Sequence, residues 1–411
     1  MIRDMKNILV FLLACSWCVS AAGWCHDGHE HGSNAAVSSM AVSLAFDPHG
    51  RLWQASVQDG FVTVAYSDDM GRHFSLPQKL NHEAQKIGVD GDARPKIAMA
   101  RDGHIYVTWT QALATPYTGY IWFARSTDGG KTFGQPVIVH RDRAEITHRF
   151  DALAVAGKDG QRIYVAWVDK RDLLAAQGGN REYEGAAVYY AVSEDGGASF
   201  QPEHKLADNS CECCRIALAG MENGEAVALW RHVFSGNIRD HAMARFGPDS
   251  EVSGQDIHRA SFGNWKVEAC PHHGPALAQG GDWGWHMAWF DGGMNNKAKN
   301  PGLYYARMDG EAWVSSPAMR FGHSGQQAGH PALMSVGDQV WLVWRELDDS
   351  GSAIWLKTSV DAGRTWTDAR QVVRTAARSD YPQLLLRGSQ VYLGWNTESD
   401  GVWMKRLDTD E

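Results

Sequence analysis

The sequence predicts an all-β fold in which one four-stranded unit is repeated along the chain. The chain has 411 residues, among them 18 tryptophans and 43 glycines, a composition that favours short aromatic strands joined by tight turns. A short strand, a glycine turn and a second strand ending in tryptophan recur about every 57 residues. The terminal tryptophans are Trp109, Trp167, Trp230, Trp289, Trp344 and Trp395. A four-stranded repeat of this length is typical of a β-propeller.

Each copy begins with two alternating strands. In "RPKIAMARDGHIYVTW", Ile105, Val107 and Trp109 recur at the two-residue period of a β-strand. A third strand follows, as in "GYIWFARS", and usually a fourth, as in "QPVIVH". A weaker seventh copy comes first, as "VSLAFDPHGRLWQASV", and the last copy ends at its third strand, "GVWMKRL". We therefore expect seven antiparallel blades, with a six-bladed ring as the alternative, and an outer strand from residues near 33–40 that closes the ring.

The turns between third and fourth strands share one pattern, serine-x-aspartate-x-glycine followed by an aromatic residue. It occurs as "SDDMGRHF" (67–74), "STDGGKTF" (126–133), "SEDGGASF" (193–200) and "SVDAGRTW" (359–366). The aspartate accepts backbone N–H groups, the glycine takes a positive φ, and the aromatic ring packs beneath the turn. These turns resemble the Asp-box (BNR) repeats of the sialidase-like β-propeller family. The resemblance implies a fold more than an activity, because Asp boxes lie away from the active site and occur in many other proteins.

The N-terminus has the layout of a secretory signal peptide. Arg3 and Lys6 precede an apolar run over 8–14, and small residues follow at 20–22. The run is too short to span a bilayer, so we expect cleavage and a periplasmic or secreted protein. Cys15 ends an imperfect lipobox, which leaves a lipoprotein as a lesser alternative.

Neither a membrane span nor a nucleic-acid partner is expected. No other stretch is long and apolar enough for a membrane helix, and a net charge of −9 does not favour binding to an anionic polymer or surface. The predicted organisation is a signal peptide at 1–22, a histidine-rich segment at 23–38 and the propeller at 39–411.

A cluster of cysteines is the most unusual feature of the chain. "NSCECCRIALAG" (209–220) places three cysteines within four positions. When the first strands are aligned, Cys213 and Cys214 fall at the positions of His272 and His273 in the next copy, "ACPHHGPALA". We therefore expect one group at a mouth of the central channel between blades 4 and 5, comprising Cys211, Cys213, Cys214, Cys270, His272 and His273.

Thiolate and imidazole ligands together favour a soft metal ion. Copper as Cu(I) is the first expectation and zinc the second. The alternative is a disulfide from Cys270 to one of the three clustered cysteines, which would staple two blades. "CHDGHEHG" (25–32) offers a secondary metal site through Cys25, His26, His29 and His31, or else is a tail without function. The expected partners are a metal ion and a periplasmic or outer-membrane protein.

An enzyme is the second interpretation of the sequence. The resemblance implies an exo-sialidase site with an arginine triad for a substrate carboxylate, a Tyr–Glu nucleophile pair and an aspartic acid. The Phe/Tyr-Arg-Ile-Pro motif that carries the first arginine does not occur in this sequence. Residues that could be assembled into such a site are Arg149, Arg231, Arg345, Tyr381, Glu346 and Asp169. We rank a metal-binding propeller first, an exo-glycosidase (sialidase) acting on acidic sugars second, and a non-catalytic binding or assembly module third.

Overall fold

The computed structural model describes residues 40–89, 91–248, 254–267, 272–293 and 301–407. These residues form seven antiparallel sheets, six of four strands and one of three. The prediction of an all-β, seven-bladed propeller is confirmed, and the six-bladed alternative is excluded. No helix in the described ranges is long and apolar enough to cross a membrane.

The first three blades contain twelve strands. Blade 1 consists of β1 (Ser43–Phe46), β2 (Leu52–Gln58), β3 (Phe61–Ser67) and β4 (Gln78–Lys79). Blade 2 consists of β5 (Lys96–Met99), β6 (Ile105–Ala112), β7 (Gly119–Ser126) and β8 (Val137–Ile138). Blade 3 consists of β9 (His148–Ala156), β10 (Arg162–Asp169), β11 (Ala186–Ser193) and β12 (His204–Ser210), with the helix α1 (Arg171–Gly178) after β10.

The remaining blades follow the same order. Blade 4 consists of β13 (Ala217–Gly220), β14 (Ala226–Arg231), β15 (His241–Phe246) and β16 (His258–Arg259). Blade 5 consists of β17 (Ala276–Gln279), β18 (Gly284–Asp291), β19 (Gly302–Asp309) and β20 (Met319–Phe321). Blade 6 consists of β21 (Gly329–Val336), β22 (Gln339–Asp348), β23 (Gly351–Ser359) and β24 (Arg370–Thr375). Blade 7 consists of β25 (Gln383–Arg387), β26 (Gln390–Thr397) and β27 (Gly401–Leu407). Two 3₁₀ turns lie at Gly254–Asp256 and Gly281–Trp283.

The first strands of the blades form the inner wall of the ring. Contacts run from β1 to β5, β9, β13, β17, β21 and β25, and from β25 back to β1. Seven hydrophobic clusters lie in the ring, and each joins residues of two neighbouring blades. The tryptophans that end the second strands are buried in these clusters. Each blade supplies one tryptophan ring to a hydrophobic cluster that it shares with a neighbouring blade. The period of the tryptophans in the sequence therefore sets the spacing of these clusters.

Side chains close the ring where blade 7 meets blade 1. The backbone N–H of Val42 donates to Asp380 Oδ2 at 3.1 Å, and that of Leu44 donates to Gln383 Oε1 at 3.0 Å. Gln383 Nε2 in turn donates to the carbonyl of Val42 at 2.8 Å. The closing outer strand expected near 33–40 falls outside the described residues except for Met40, whose carbonyl accepts Asn396 Nδ2 at 2.8 Å.

The four Ser-x-Asp-x-Gly turns share one set of hydrogen bonds. In blade 2, Ser126 Oγ donates to Asp128 Oδ1 at 2.8 Å and accepts the N–H of Gly130 at 2.9 Å. Asp128 Oδ1 also accepts the N–H of Thr132 at 2.9 Å. The same contacts recur in the turns of blades 1, 3 and 6. The half-buried aromatic residue that ends each turn packs on a hydrophobic cluster, as predicted.

The glycine of each turn packs against the blade that precedes it in the chain. The turn glycine of blade 1 packs against blade 7. A Cβ on Gly130 would lie 2.0 Å from the ring of Trp53 in blade 1, and one on Gly197 would lie 2.6 Å from Phe123 in blade 2. A Cβ on Gly363 would lie 1.9 Å from Tyr305 Oη in blade 5. The glycines also have positive φ, so both conformation and space require them.

Gly130→Ala should destabilise the protein more than Gly129→Ala. Both glycines have positive φ, +81° and +70°, so the conformational penalty is shared. Only the Cβ at position 130 meets Trp53, whereas that at position 129 has no neighbour within 4 Å. We expect an additional loss of about 1–3 kcal/mol in the free energy of unfolding for Gly130→Ala, measured by urea denaturation. Equal losses in the two variants would contradict the packing role.

Asp128 should make the protein sensitive to acid. The N–H of Thr132, and then the hydroxyls of Thr132 and Ser126, lower the pKa of Asp128 from 3.8 to about 2. A carboxyl whose pKa is lower in the folded state stabilises the fold above its unfolded value and loses that effect as pH falls toward 2. Asp128→Asn should therefore lower the melting temperature at pH 7 and lower it less at pH 2.5. A pH-independent difference would contradict the carboxylate's role.

Candidate functional site

The three clustered cysteines lie in the loop between β12 and β13. The loop begins where the N–H of Cys211 donates to the carbonyl of Arg231 at 2.9 Å. Cys211, Cys213 and Cys214 are buried, with 1%, 8% and 2% of their surfaces exposed, in the hydrophobic cluster that blades 3 and 4 share. Their sulfur atoms all lie within 4.8 Å of one another. In the described part of the chain, no other group of three or more potential ligand residues is this compact.

The three sulfurs differ in redox state. Cys213 is disulfide-bonded, whereas Cys211 and Cys214 are free thiols. Cys270, the partner named in the staple hypothesis, lies outside the described residues, as does the predicted secondary site Cys25, His26, His29 and His31. While the Cys213 disulfide is intact, the free thiols of Cys211 and Cys214 are therefore the ones available to react or to bind a ligand.

Cys211 and Cys214 form an asymmetric thiol pair. Cys214 Sγ donates to Cys211 Sγ at 3.0 Å. This hydrogen bond lowers the pKa of Cys211 to about 6 against the opposing effect of burial, with help from the Cys213 N–H and the charges of Arg231 and Arg239. The same hydrogen bond, together with burial, raises the pKa of Cys214 well above its usual value. The hydrogen bond therefore favours the thiolate form of Cys211 and the thiol form of Cys214.

The two predicted histidine ligands contact other residues. His272 Nδ1 lies 3.2 Å from Nη1 of Arg215, which also donates to the carbonyl of Cys213 at 2.6 Å. His273 stacks on Phe290 with ring centroids 4.4 Å apart, and burial lowers its pKa to about 3. Arg215 therefore lies between the cysteine loop and His272, and the imidazoles are not part of the compact sulfur group.

A polar cavity of about 130 Å³ lies where the first strands of blades 2 to 7 begin. Its polar lining residues are Asp92, Lys96, Asp151, Arg215, His330 and Tyr381. His330 Nδ1 lies 3.3 Å from Asp92 Oδ2, and the His330 ring stacks on Tyr381 with centroids 3.4 Å apart. The structure thus places a charged cavity, which we call the axial cavity, at the centre of the ring.

Sequence reasoning missed Asp92, Lys96, Asp151 and Arg215 among the polar residues of the axial cavity. A signal for Lys96 was present, because Lys96 starts β5 where Ala217 and Ala276 start the equivalent strands of blades 4 and 5. A charged residue at a first-strand position that is otherwise small indicates a polar contact inside the ring.

Three of the six candidate sialidase residues are buried and engaged in the structure. Arg231 is 1% exposed, and its Nη atoms donate to the carbonyls of Arg239 and Phe290 at 2.8 and 2.7 Å. Glu346 is equally buried and accepts the indole N–H of Trp344 at 2.8 Å as well as the backbone and ring of His323. The third, Asp169, is fully buried and accepts Trp167 Nε1 at 2.9 Å and Arg171 Nη2 at 2.8 Å.

The other three candidates lie closer to solvent. Arg149 lies over the ring of Phe150 at 4.7 Å. The guanidinium of Arg345 lies 4.6 Å from the ring centroid of Tyr381, which lines the axial cavity. Among the six, the structure therefore brings Arg345 and Tyr381 into direct contact.

The comparisons with known proteins concern the fold. No protein-family model and no curated protein matches the sequence. The chain is similar in structure to the polysaccharide lyase Uly1, with 8% identity, a TM-score of 0.56 and coverage of 95% of this chain and 94% of that one. It is also similar to the alpha-L-arabinanase of Penicillium chrysogenum, with 11% identity, a TM-score of 0.50 and coverage of 90% and 93%. A Hadza microbial sialidase, Hz136, has 15% identity, a TM-score of 0.48 and coverage of 85% and 74%. The similarity to Uly1 and to the arabinanase supports a β-propeller fold.

The protein should not hydrolyse a fluorogenic sialoside. Arg231, one of the three arginines that could bind a substrate carboxylate, is buried and donates to two carbonyls. Glu346 is also buried and accepts the indole N–H of Trp344. We expect fluorescence release at the rate of the buffer blank, with a known sialidase as the positive control. Turnover that disappears in Arg149→Ala or Tyr381→Phe would show that the prediction is wrong.

Proposed function

We propose that this protein is an exported sialidase-like propeller that binds a soft metal ion, Cu(I), through the thiols of the 211–214 loop. The observation that carries the proposal is the pair of free thiols, Cys211 and Cys214, whose sulfur atoms lie 3.0 Å apart in a buried site. Polarisable thiolates match a soft d¹⁰ ion far better than they match a hard cation.

The free pair Cys211 and Cys214 forms the core of the proposed site. Their sulfurs are adjacent, and the hydrogen bond from Cys214 lowers the pKa of Cys211 and so favours the ionised form that a metal requires. Binding would replace the proton shared between the two sulfurs by the metal ion, with release of that proton. Cys213 Sγ lies 3.8 Å from Cys211 Sγ, but it is held in a disulfide and is not one of the proposed thiolate ligands.

Nearby arginines favour a monovalent ion. A Cu(I) ion between two thiolates leaves one net negative charge in a buried site. Arg231 and Arg239 both act electrostatically on Cys211, and Arg231 is itself buried with its Nε unpaired in the described structure. A buried anion is tolerated where a cation lies close to it, so this environment supports a singly charged bis-thiolate complex.

The wider role belongs to the same proposal. The signal-peptide pattern supports action in the periplasm or outside the cell, where copper storage, delivery or scavenging would take place. Cys270 and the histidine-rich segment with Cys25, His26, His29 and His31 are proposed as additional ligands, and zinc is the second choice of metal.

Replacing both free thiols should abolish tight Cu(I) binding. We expect Cys211→Ser/Cys214→Ser to weaken Cu(I) affinity by about a hundredfold or more, because two soft ligands are lost. The measurement is competition for Cu(I) against a colorimetric chelator under reducing conditions, with the melting temperature as the check on folding. Unchanged affinity in the folded double variant would exclude this site.

Cys213→Ser provides the matched control. It removes one sulfur from the same loop but leaves the free pair, so Cu(I) affinity should fall less than in the double variant. Loss of folding in Cys213→Ser with normal folding of the double variant would assign the Cys213 disulfide a structural role as a staple. An affinity loss as large as that of the double variant would contradict the central role of Cys211 and Cys214.

A further inference from the structure

We infer that a cavity between blades 4 and 5 binds a small organic amine in its ammonium form through the carboxylate of Asp291. We call it the lateral cavity. Its lining comes from the segment 260–263, which follows β16 of blade 4, and from residues of blade 5. It shares no lining residue with the axial cavity or with the 211–214 loop, so the inference does not depend on metal binding.

The lateral cavity has the size and the lining of a small-molecule site. Its volume is about 530 Å³, within the range of roughly 300–1,000 Å³ that such sites occupy. The rings of Phe262, Trp289 and Tyr304 line it together with alanine, glycine, serine and proline residues. In the described part of the chain, Asp291 is the one charged residue of this lining. A largely apolar site with a single carboxylate favours a ligand that carries a positive charge on an apolar body.

Asp291 has one carboxylate oxygen available to a ligand. The residue is only 4% exposed, and its Oδ1 accepts the N–H of Gly293 at 2.8 Å. Within the described ranges, no hydrogen bond or ion pair involves Oδ2. A buried polar oxygen without a partner costs free energy, and a donor on a ligand would remove that cost.

The acidic residues at the equivalent position of two other blades have a structural role. In blades 3 and 6, Asp169 and Glu346 follow the strand-ending tryptophan by two positions and accept its indole N–H at 2.9 and 2.8 Å. Asp291 follows Trp289 by the same two positions, but in the described structure it does not accept that indole N–H. The contact that explains the carboxylate in the other two blades is therefore not made in blade 5.

The charges around Asp291 do not fully compensate its carboxylate. Burial raises the pKa of Asp291, and the charge of Asp240 adds to this effect, against the opposing effects of the Gly293 N–H and the charge of Arg231. Asp240 is itself paired with Arg259. Since the net effect disfavours the ionised carboxyl, an ammonium group beside Oδ2 would stabilise that form and would itself be stabilised by it.

The aromatic rings suit the remainder of the ligand. Trp289 and Tyr304 are cross-strand neighbours in β18 and β19, with ring centroids 6.3 Å apart and planes inclined by 21°. Phe262 is 60% exposed although it lines the cavity, so a bound molecule would cover part of its ring. Aromatic faces attract cations, and their apolar surface contacts the hydrocarbon part of an amine.

The test is isothermal titration of the full-length protein with three probes that share one ring: benzylamine, benzyl alcohol and benzoate. At pH 7 the first is a cation, the second is neutral and the third is an anion. We expect benzylamine to bind about tenfold or more tightly than benzyl alcohol, and benzoate to bind more weakly than either, because the carboxylate attracts only the cation. Equal binding of the amine and the alcohol, or no binding of the amine, would overturn the inference.

Variants assign the binding to the lateral cavity. Asp291→Asn retains the size of the side chain but removes its charge, and should weaken benzylamine binding about tenfold or more while leaving benzyl alcohol binding unchanged. Asp282→Asn is the matched control, because it removes the same charge from an exposed position of the same blade and should leave benzylamine binding unchanged. Equal effects of these two variants would show that the amine binds elsewhere.

Phe262→Ala gives a second test that does not depend on a buried residue. Because the ring is largely exposed, its removal should leave the melting temperature nearly unchanged. Loss of one aromatic contact should weaken benzylamine binding about two- to fivefold. Unchanged benzylamine affinity in folded Phe262→Ala would contradict binding in this cavity, including in the case where Asp291→Asn does not fold.

Discussion

The ring depends on the buried ion pair between Arg94 and Asp380. Both side chains are almost fully buried, and Arg94 Nη2 donates to Asp380 Oδ1 at 2.7 Å while Nη1 contacts the other oxygen. Arg94 also donates to the carbonyl of Val42, whose N–H donates to Asp380. The pair therefore joins blade 2, blade 7 and the chain that enters blade 1. Desolvation of two charges is costly, and the additional hydrogen bonds to Val42 offset that cost.

The inner ends of the strands also connect the axial cavity with the cysteine loop. Arg215 lines the axial cavity with its side chain and holds the carbonyl of Cys213 in the loop that carries the thiols. The free thiols in this loop are almost completely buried.

The sequence alone predicted the repeated parts of the molecule and missed what depends on one particular neighbour. The tryptophan period and the Ser-x-Asp-x-Gly turns predicted the number of blades and their inter-blade packing, because every copy repeats the same local contacts. The direction of His272 was not predictable from strand alternation, since its φ of 53° lies outside the extended region. The state of Cys213 depends on a partner distant in sequence. The position of Lys96 in a polar cavity became visible only in the structure, where six blades contribute to the lining.

Each turn glycine packs against one particular neighbouring blade, so the contacts between blades follow the order in which the blades occur in the chain. Gly130 in blade 2 packs on Trp53 in blade 1, and Gly197 in blade 3 packs on Phe123 in blade 2. A chain that leaves the ribosome from its N-terminus can therefore lay each new blade on one that is already complete. Blade 1 is the exception, because its Gly71 packs on Val402 of blade 7. The turn of the first blade therefore acquires its neighbour only after the last blade has been synthesised.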